Sequence, residues 1–135
     1  MKITADTNLL VRIVVRDDTA QARIAFDIVS TAERVAIPLS CLCEVVWVLQ
    51  SVYGYKAVEL AIAIRSIIEA NNAVFDQSAV EAGLRVLAAG GDFADGVIAA
   101  AGRAMGGETF VSFDRKAIAY LNTLGLPARN ARDLK

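Results

Sequence analysis

Histidine is absent from the 135-residue sequence. That excludes Ser-His-Asp and Cys-His nucleophilic triads, imidazole acid–base catalysis and His-ligated zinc, leaving carboxylates, hydroxyls, Lys and Arg for any chemistry. Cysteine is scarce, with only Cys41 and Cys43. Two residues apart on a predicted helix they project from different faces, so neither a mutual disulfide nor a zinc site is expected, and both read as inert buried thiols. An excess of one charge is also missing: 14 Lys and Arg stand against 15 Asp and Glu, for a net charge of −1. With a pI near 5.4, the chain has no global basic field to hold nucleic acid by its phosphates. A nucleic-acid substrate would have to be held by local groups or by a bound metal.

The opening MKITADTN has no apolar run behind a basic start, so no secretory signal is expected and a cytoplasmic location follows. An uninterrupted membrane-length apolar segment is lacking too. Residues 35–55 come nearest, with Glu44 as their one acidic or basic side chain, but Pro38 breaks the stretch. A carboxylate at mid-span costs about 2.5–3.5 kcal/mol even on lenient insertion scales. A buried strand followed by a buried helix is the expected reading, with no membrane partner.

What the chain has in quantity is apolar surface. It is 56% hydrophobic with a positive mean hydropathy of +0.46, more than a monomer of this size requires, so a partner is expected to cover part of it. The length suits one domain over residues 1–135, with roughly two thirds of the unfolded chain's surface buried. Short β-like runs alternate with helical periods, which predicts an α/β fold with a mostly parallel sheet flanked by helices.

Strands are predicted at residues 2–5, 35–37, 73–75 and 109–112, with an edge strand at 126–128 where Pro127 is tolerated. Helices are predicted at 7–15, 19–31, 40–53, 56–69, 78–89, 93–105 and 114–121. Thr19 is the expected cap of the second, ahead of an Ala22/Ile24/Ala25/Ile28/Val29 face. Ser40 is the expected cap of the third, in which Leu42, Val45, Val46, Leu49 and Val52 recur at helical spacing and Gly54 ends the run. Gly125 ends the last helix. Repeats, linkers and low-complexity segments are absent.

Four acids interrupt apolar surroundings. Asp6 closes the first strand, Glu44 lies in CLCEVVWVL, Asp95 lies in DFADGVIAA, and Asp114 follows the TFVSF strand. In a parallel α/β sheet the strand ends and the helix starts beyond them gather at one edge, where ligands bind. If four ionised groups met there about 5 Å apart, each pair would repel by roughly 3 kcal/mol at an effective dielectric of about 20. The six pairs together would exceed the roughly 5–15 kcal/mol stability of a small domain. Cations or protonation must then neutralise the cluster, and oxygen ligands without His or Cys select Mg²⁺ or Mn²⁺. Structural roles compete at each position: Asp6, Asp92, Asp95 and Asp114 all fall where acids cap helices or complement their dipoles. Glu44, among apolar neighbours, has no capping role and calls for a partner, with plain solvent exposure as its structural alternative.

The run ADTNLLVR, a lone Glu in an apolar helix some forty residues on, DFADGVIAA and then VSFDRKA resemble, in that order, the PIN-domain family, and most closely its VapC-type toxins. The resemblance covers nearly the whole chain. It implies a three-layer sandwich around a four- to five-stranded sheet, and an endoribonuclease that uses metal-activated water. Asp6, Glu44, Asp95 and Asp114 would be the acids around Mg²⁺ or Mn²⁺, with Asp92 accessory. Thr7, Asn8 and Ser112 would orient carboxylates or waters, although a simple strand-end hydroxyl accounts for Ser112 equally well. Arg12, Arg16, Arg115 and Lys116 would meet RNA phosphates, although a solvated basic face accounts for each equally well.

The family's toxins pair through helices and are blocked by a cognate antitoxin, which implies a homodimer and an antitoxin partner. Trp47, Tyr53 and Tyr55 are candidates for such an interface, with core packing the default for Trp47. Gly96 departs from the pattern, standing where Ala is common. Two alternatives remain: a non-catalytic PIN-family binding protein, and a Mg²⁺-binding phosphoacceptor domain. The latter needs paired acids after the first strand, where only Asp6 stands, and a Lys directly after the last strand, where Arg129 stands instead.

Overall fold

In the computed structural model, which describes residues 1–134, the chain divides into two compact units, Met1–Asp76 and Gln77–Lys135. The first unit runs β1 (Lys2–Thr4), α1 (Thr7–Val15), α2 (Thr19–Thr31), β2 (Arg34–Ala36), α3 (Leu39–Ser51), α4 (Ala57–Ile68) and β3 (Ala73–Val74). Its strands form a parallel sheet in the order β1-β2-β3, with Thr4 opposite Ala36 and Ala36 opposite Val74. Pairing continues past the strand ends, since Ala5 N donates to Ala36 O at 2.9 Å and Ile37 N to Val74 O at 2.9 Å. α1 packs on α2 and α3, and α3 packs on α4. Leu10, Val35, Leu42, Val45, Leu49, Leu60 and Ile64 are fully buried.

The second unit runs α5 (Gln77–Ala89), α6 (Phe93–Ala104), β4 (Phe110–Ser112), α7 (Arg115–Thr123), β5 (Ala128–Asn130) and a 3-10 turn, Ala131–Asp133. β4 and β5 pair in parallel, with Ser112 opposite Asn130. Ala82, Val86, Leu121, Leu126 and Ala128 form the core, against which Phe110, Ile118 and Leu124 pack. Among the described residues the fold is therefore α/β, with seven helices and parallel strands. The five strands are shared between a three-stranded and a two-stranded sheet.

The helices follow the hydrophobic periods of the sequence, and Gly54 (φ +70°) and Gly125 (φ +80°) turn the chain out of α3 and α7 as expected. Details differ where side-chain reach decides. Asp18, not Thr19, caps α2, because its carboxylate accepts from Gln21 N at 3.0 Å. Pro38 takes the N-cap position of α3 and Ser40 lies inside the helix; the Pro38 carbonyl accepts from Cys41 N and Leu42 N. β5 starts at Ala128, two residues later than expected, because Pro127 offers only its carbonyl, to Phe110 N at 2.9 Å.

On α2 only Ala22 and Ala25 are buried, and Ile24 and Ile28 face out. Val52, expected on the buried face of α3, is exposed beyond that helix's end, and Trp47 is 64% exposed instead of packed in the core. Ser40, Glu44, Trp47 and Ser51 form one exposed stripe opposite Leu42, Val45, Val46 and Leu49. Among the described residues, no helix is long and apolar enough to cross a membrane.

Candidate metal centre

Asp6 occupies the N-cap position of α1 with extended backbone (φ −90°, ψ 156°), yet its side chain caps nothing. An Asp at that position ordinarily accepts from the second or third helical N–H, so its carboxylate is left over after the helix forms. The exposed stripe of α3 explains how Glu44 is tolerated in an apolar helix: it faces solvent and accepts a hydrogen bond from Thr7 Oγ1 at 2.8 Å. Because β1 and β2 are parallel neighbours, Asp6 and α3 both follow strands at the same edge of the three-stranded sheet.

Cys41 lies beneath this pair, with its Sγ 3.9 Å from Thr7 Oγ1. Burial pushes its thiol up, and the charges of Asp6 and Glu44 push the same way against the Thr7 contact. These influences disfavour the thiolate, the nucleophilic form of a cysteine. Asn8 is exposed and lines, with Asp6, Arg12 and Gln21, a groove of about 350 Å³ in this unit.

The second unit carries the other acids. Asp92 caps α6, accepting from Ala94 N at 3.1 Å. Asp95, in the first turn of α6, is half-buried and makes no side-chain hydrogen bond among the described residues. Burial raises its carboxyl above the ordinary value, and the charges of Asp92 and Asp114 raise it further. Asp114 caps α7 with one oxygen only: Oδ1 accepts from Lys116 N at 3.0 Å and from Ala117 N at 3.1 Å. Ser112 Oγ accepts from Asp114 N at 3.0 Å, fixing the turn between β4 and α7.

The placement of Gly96 has a packing cause. A Cβ there would lie 2.6 Å from the Ala82 carbonyl oxygen and 2.8 Å from Gly83 Cα, so α6 meets α5 backbone to backbone, one residue from Asp95. The departure from Ala is therefore required by the fold rather than merely tolerated.

The basic residues are placed differently from one another. Arg12 pairs with Asp17 at 2.9 Å. Arg16 ends α1 in left-handed backbone (φ 58°) and its Nε donates to Ile13 O of its own helix. Arg115 and Lys116 are exposed in the first turn of α7 and belong to no ion pair among the described residues. Cations at a helix N-terminus oppose its dipole, so that placement has no folding benefit. Two further residues at this end of the second unit gave no signal in the sequence reading, Phe113 and Arg132. An aromatic before a capping Asp reads as a helix-entry hydrophobe, and Arg132 acquires its place only through the pairing of β4 with β5.

Asp6 and Glu44 lie in the first unit and Asp95 and Asp114 in the second, and the hydroxyls of Thr7 and Ser112 each bond within their own unit, to Glu44 Oε2 and Asp114 N. The donor set is all oxygen, the chemistry that suits a hard divalent cation. Among the described residues, no three Asp, Glu or Cys side chains are grouped closely enough to hold an ion by themselves.

The sequence matches the PIN domain family over residues 3–121, a span that includes all four acids, and the chain belongs to that family. PIN domains are generally nucleases; they bind nucleic acid and typically use divalent metal ions. No curated protein matches the chain. Family membership leaves the phosphoacceptor reading without support.

Proposed function

We propose that this chain is a Mg²⁺- or Mn²⁺-dependent endoribonuclease of one domain over residues 1–135, acting as the VapC-type toxin of a toxin–antitoxin pair in the cytoplasm. The observation that carries the reading is the unused oxygen on every acid of the quartet. Asp6 and Asp95 make no side-chain hydrogen bond, Glu44 uses only Oε2, and Asp114 uses only Oδ1, all among the described residues.

In this reading Asp6, Glu44, Asp95 and Asp114 hold the ion, with Asp92 accessory. Bound by these residues, a divalent ion would supply the positive charge that lowers the pKa of water and offsets charge on the scissile phosphate. Thr7 holds the Glu44 carboxylate through its hydroxyl, Ser112 fixes the Asp114 turn, and Asn8 lies in the groove beside Asp6. Arg115 and Lys116 contact RNA phosphates. Arg12 and Arg16 join them only by giving up their present bonds, to Asp17 and to the Ile13 carbonyl. The exposed Trp47, Val58 and Ile62 of α3 and α4 supply apolar surface for a homodimer or an antitoxin.

The test is cleavage of structured RNAs by purified protein in Mg²⁺ or Mn²⁺, beside Asp6→Asn, Asp95→Asn and the double variant. Activity should require metal and vanish in both single variants. The double variant should be no worse than either, because groups acting in one step are not additive. Equal activity in variant and wild type would sink the reading. RNA binding without metal-dependent cleavage would make the chain a non-catalytic member of the family. The toxin role is tested separately, by growth arrest on expression and its relief by the product of a neighbouring reading frame.

A further inference from the structure

We infer that Phe113 and Arg132 form a stacking platform for an unpaired RNA base beside Asp114, an assignment that rests on the ribonuclease reading. Phe113 stands between Ser112 and Asp114 and is 69% exposed. At the entrance to α7 an apolar side chain ordinarily packs on the fourth helical residue, here Ile118, which turns to the core of its unit. The exposure of the Phe113 ring shows that it does not serve that packing. The Arg132 guanidinium lies over the ring instead, 5.8 Å from its centroid, within cation–π range.

The backbone builds this pair. Ser112 pairs with Asn130 in the β4–β5 register, and Asn130 Oδ1 accepts from Arg132 N at 3.0 Å. That bond caps the 3-10 turn carrying Arg132. Arg132 belongs to no ion pair among the described residues, so its charge is available to a phosphate.

Single-stranded RNA is recognised through bases that stack on aromatic faces and on Arg planes. With Arg132 on one side of the ring, a base on the other side would complete a base–Phe–Arg stack. Its phosphate would sit between Arg132 and the Arg115/Lys116 pair, next to a carboxylate of the reaction. A protein partner would want a broader apolar surface than one aromatic ring under a guanidinium.

The experiment compares kcat/KM for a short single-stranded RNA with one mapped cut against the same RNA made abasic on either side of that cut. Wild type should lose roughly tenfold when the base on one side is removed. Phe113→Ala should lose about as much on the intact RNA, chiefly in KM, and be indifferent to the abasic change; Phe113→Tyr should restore both. Wild-type kcat/KM in Phe113→Ala, persistent abasic sensitivity in that variant, or failure of Tyr to rescue would each overturn the platform.

If wild type cleaves no RNA, the ribonuclease reading fails, and a second measurement still decides the platform. Phe113→Trp is made in a Trp47→Phe background, which removes the sole native tryptophan. Fluorescence quenched by a short oligouridylate, and not by its abasic counterpart, supports stacking. No quenching overturns it.

Discussion

Asp114 spends one oxygen on the fold and keeps the other for its proposed part in the metal site. Oδ1 closes the first turn of α7 through Lys116 N and Ala117 N, and Oδ2 makes no hydrogen bond among the described residues. Asn caps a helix as well as Asp, whereas Ala costs about 1 kcal/mol. Asp114→Asn is therefore expected to unfold within a few tenths of a kcal/mol of wild type while losing cleavage. Asp114→Ala should lose both, the stability part by about 1 kcal/mol in urea unfolding. Asp95 permits a pH test. Burial first, and then the charges of Asp92 and Asp114, raise its carboxyl in the folded state above the ordinary 3.8. A carboxyl that binds its proton more tightly when folded contributes stability at low pH, and that contribution is lost as pH rises through the raised value. In EDTA, Asp95→Asn should melt above wild type at neutral pH, and the gap should close as pH falls below the ordinary carboxylate range. A constant gap across pH would mean that packing, not charge, separates the two proteins. The acids at 6, 44, 95 and 114 were legible in the sequence because each interrupts an apolar run. Which of their oxygens remain free was not, since that depends on the reach of individual side chains: Asp6 and Asp114 look alike as caps until the bonds are seen.

At the scale of elements, α6 and its contact with α5 fix the local position of Asp95. Gly96→Ala gains helix propensity of about 1 kcal/mol but drives a methyl into the Ala82 carbonyl and Gly83. Backbone cannot step aside as a side chain can, and overpacking costs typically about 1–3 kcal/mol. The expected net result is a lower Tm, with cleavage reduced as Asp95 is displaced. Gly102→Ala, on the same helix with nothing within 4 Å of its Cβ, should be neutral or stabilising. A destabilised Gly102→Ala beside an unaffected Gly96→Ala would refute the contact. The order and approximate spans of the helices were readable from apolar spacing and from stops such as Gly54 and Gly125. Their caps were less so, because Asp18 and Thr19 are both good capping residues and only geometry chooses. Trp47 misled for a related reason: in a helix with so many apolar residues, composition does not reveal which stripe faces solvent.

For the whole molecule, the family match runs across both compact units, and the single-domain reading makes a thermodynamic prediction. Circular dichroism and the fluorescence of Trp47, which reports on the first unit, should melt in coincident transitions. Mn²⁺ at many times its Kd should raise that Tm in wild type by mass action, by about 2.7 kcal/mol of stabilisation at a hundredfold excess. Asp6→Asn and Asp95→Asn should each blunt the rise, although they lie in different units. Separate transitions, or a metal response lost in only one variant, would count against one domain with one shared ion.

The bare contact at Gly83 and Gly96 also bears on how this family member can vary. Where helices meet through side chains, drift in sequence shifts them against each other by fractions of an ångström as volumes change. Here main-chain atoms set the spacing directly, so residues elsewhere on α5 and α6 can be exchanged while the aspartate in the first turn keeps its address. The tolerance comes with a fixed point: a side chain at position 96 would meet the Ala82 carbonyl, and the shift would be felt one residue away at the carboxylate.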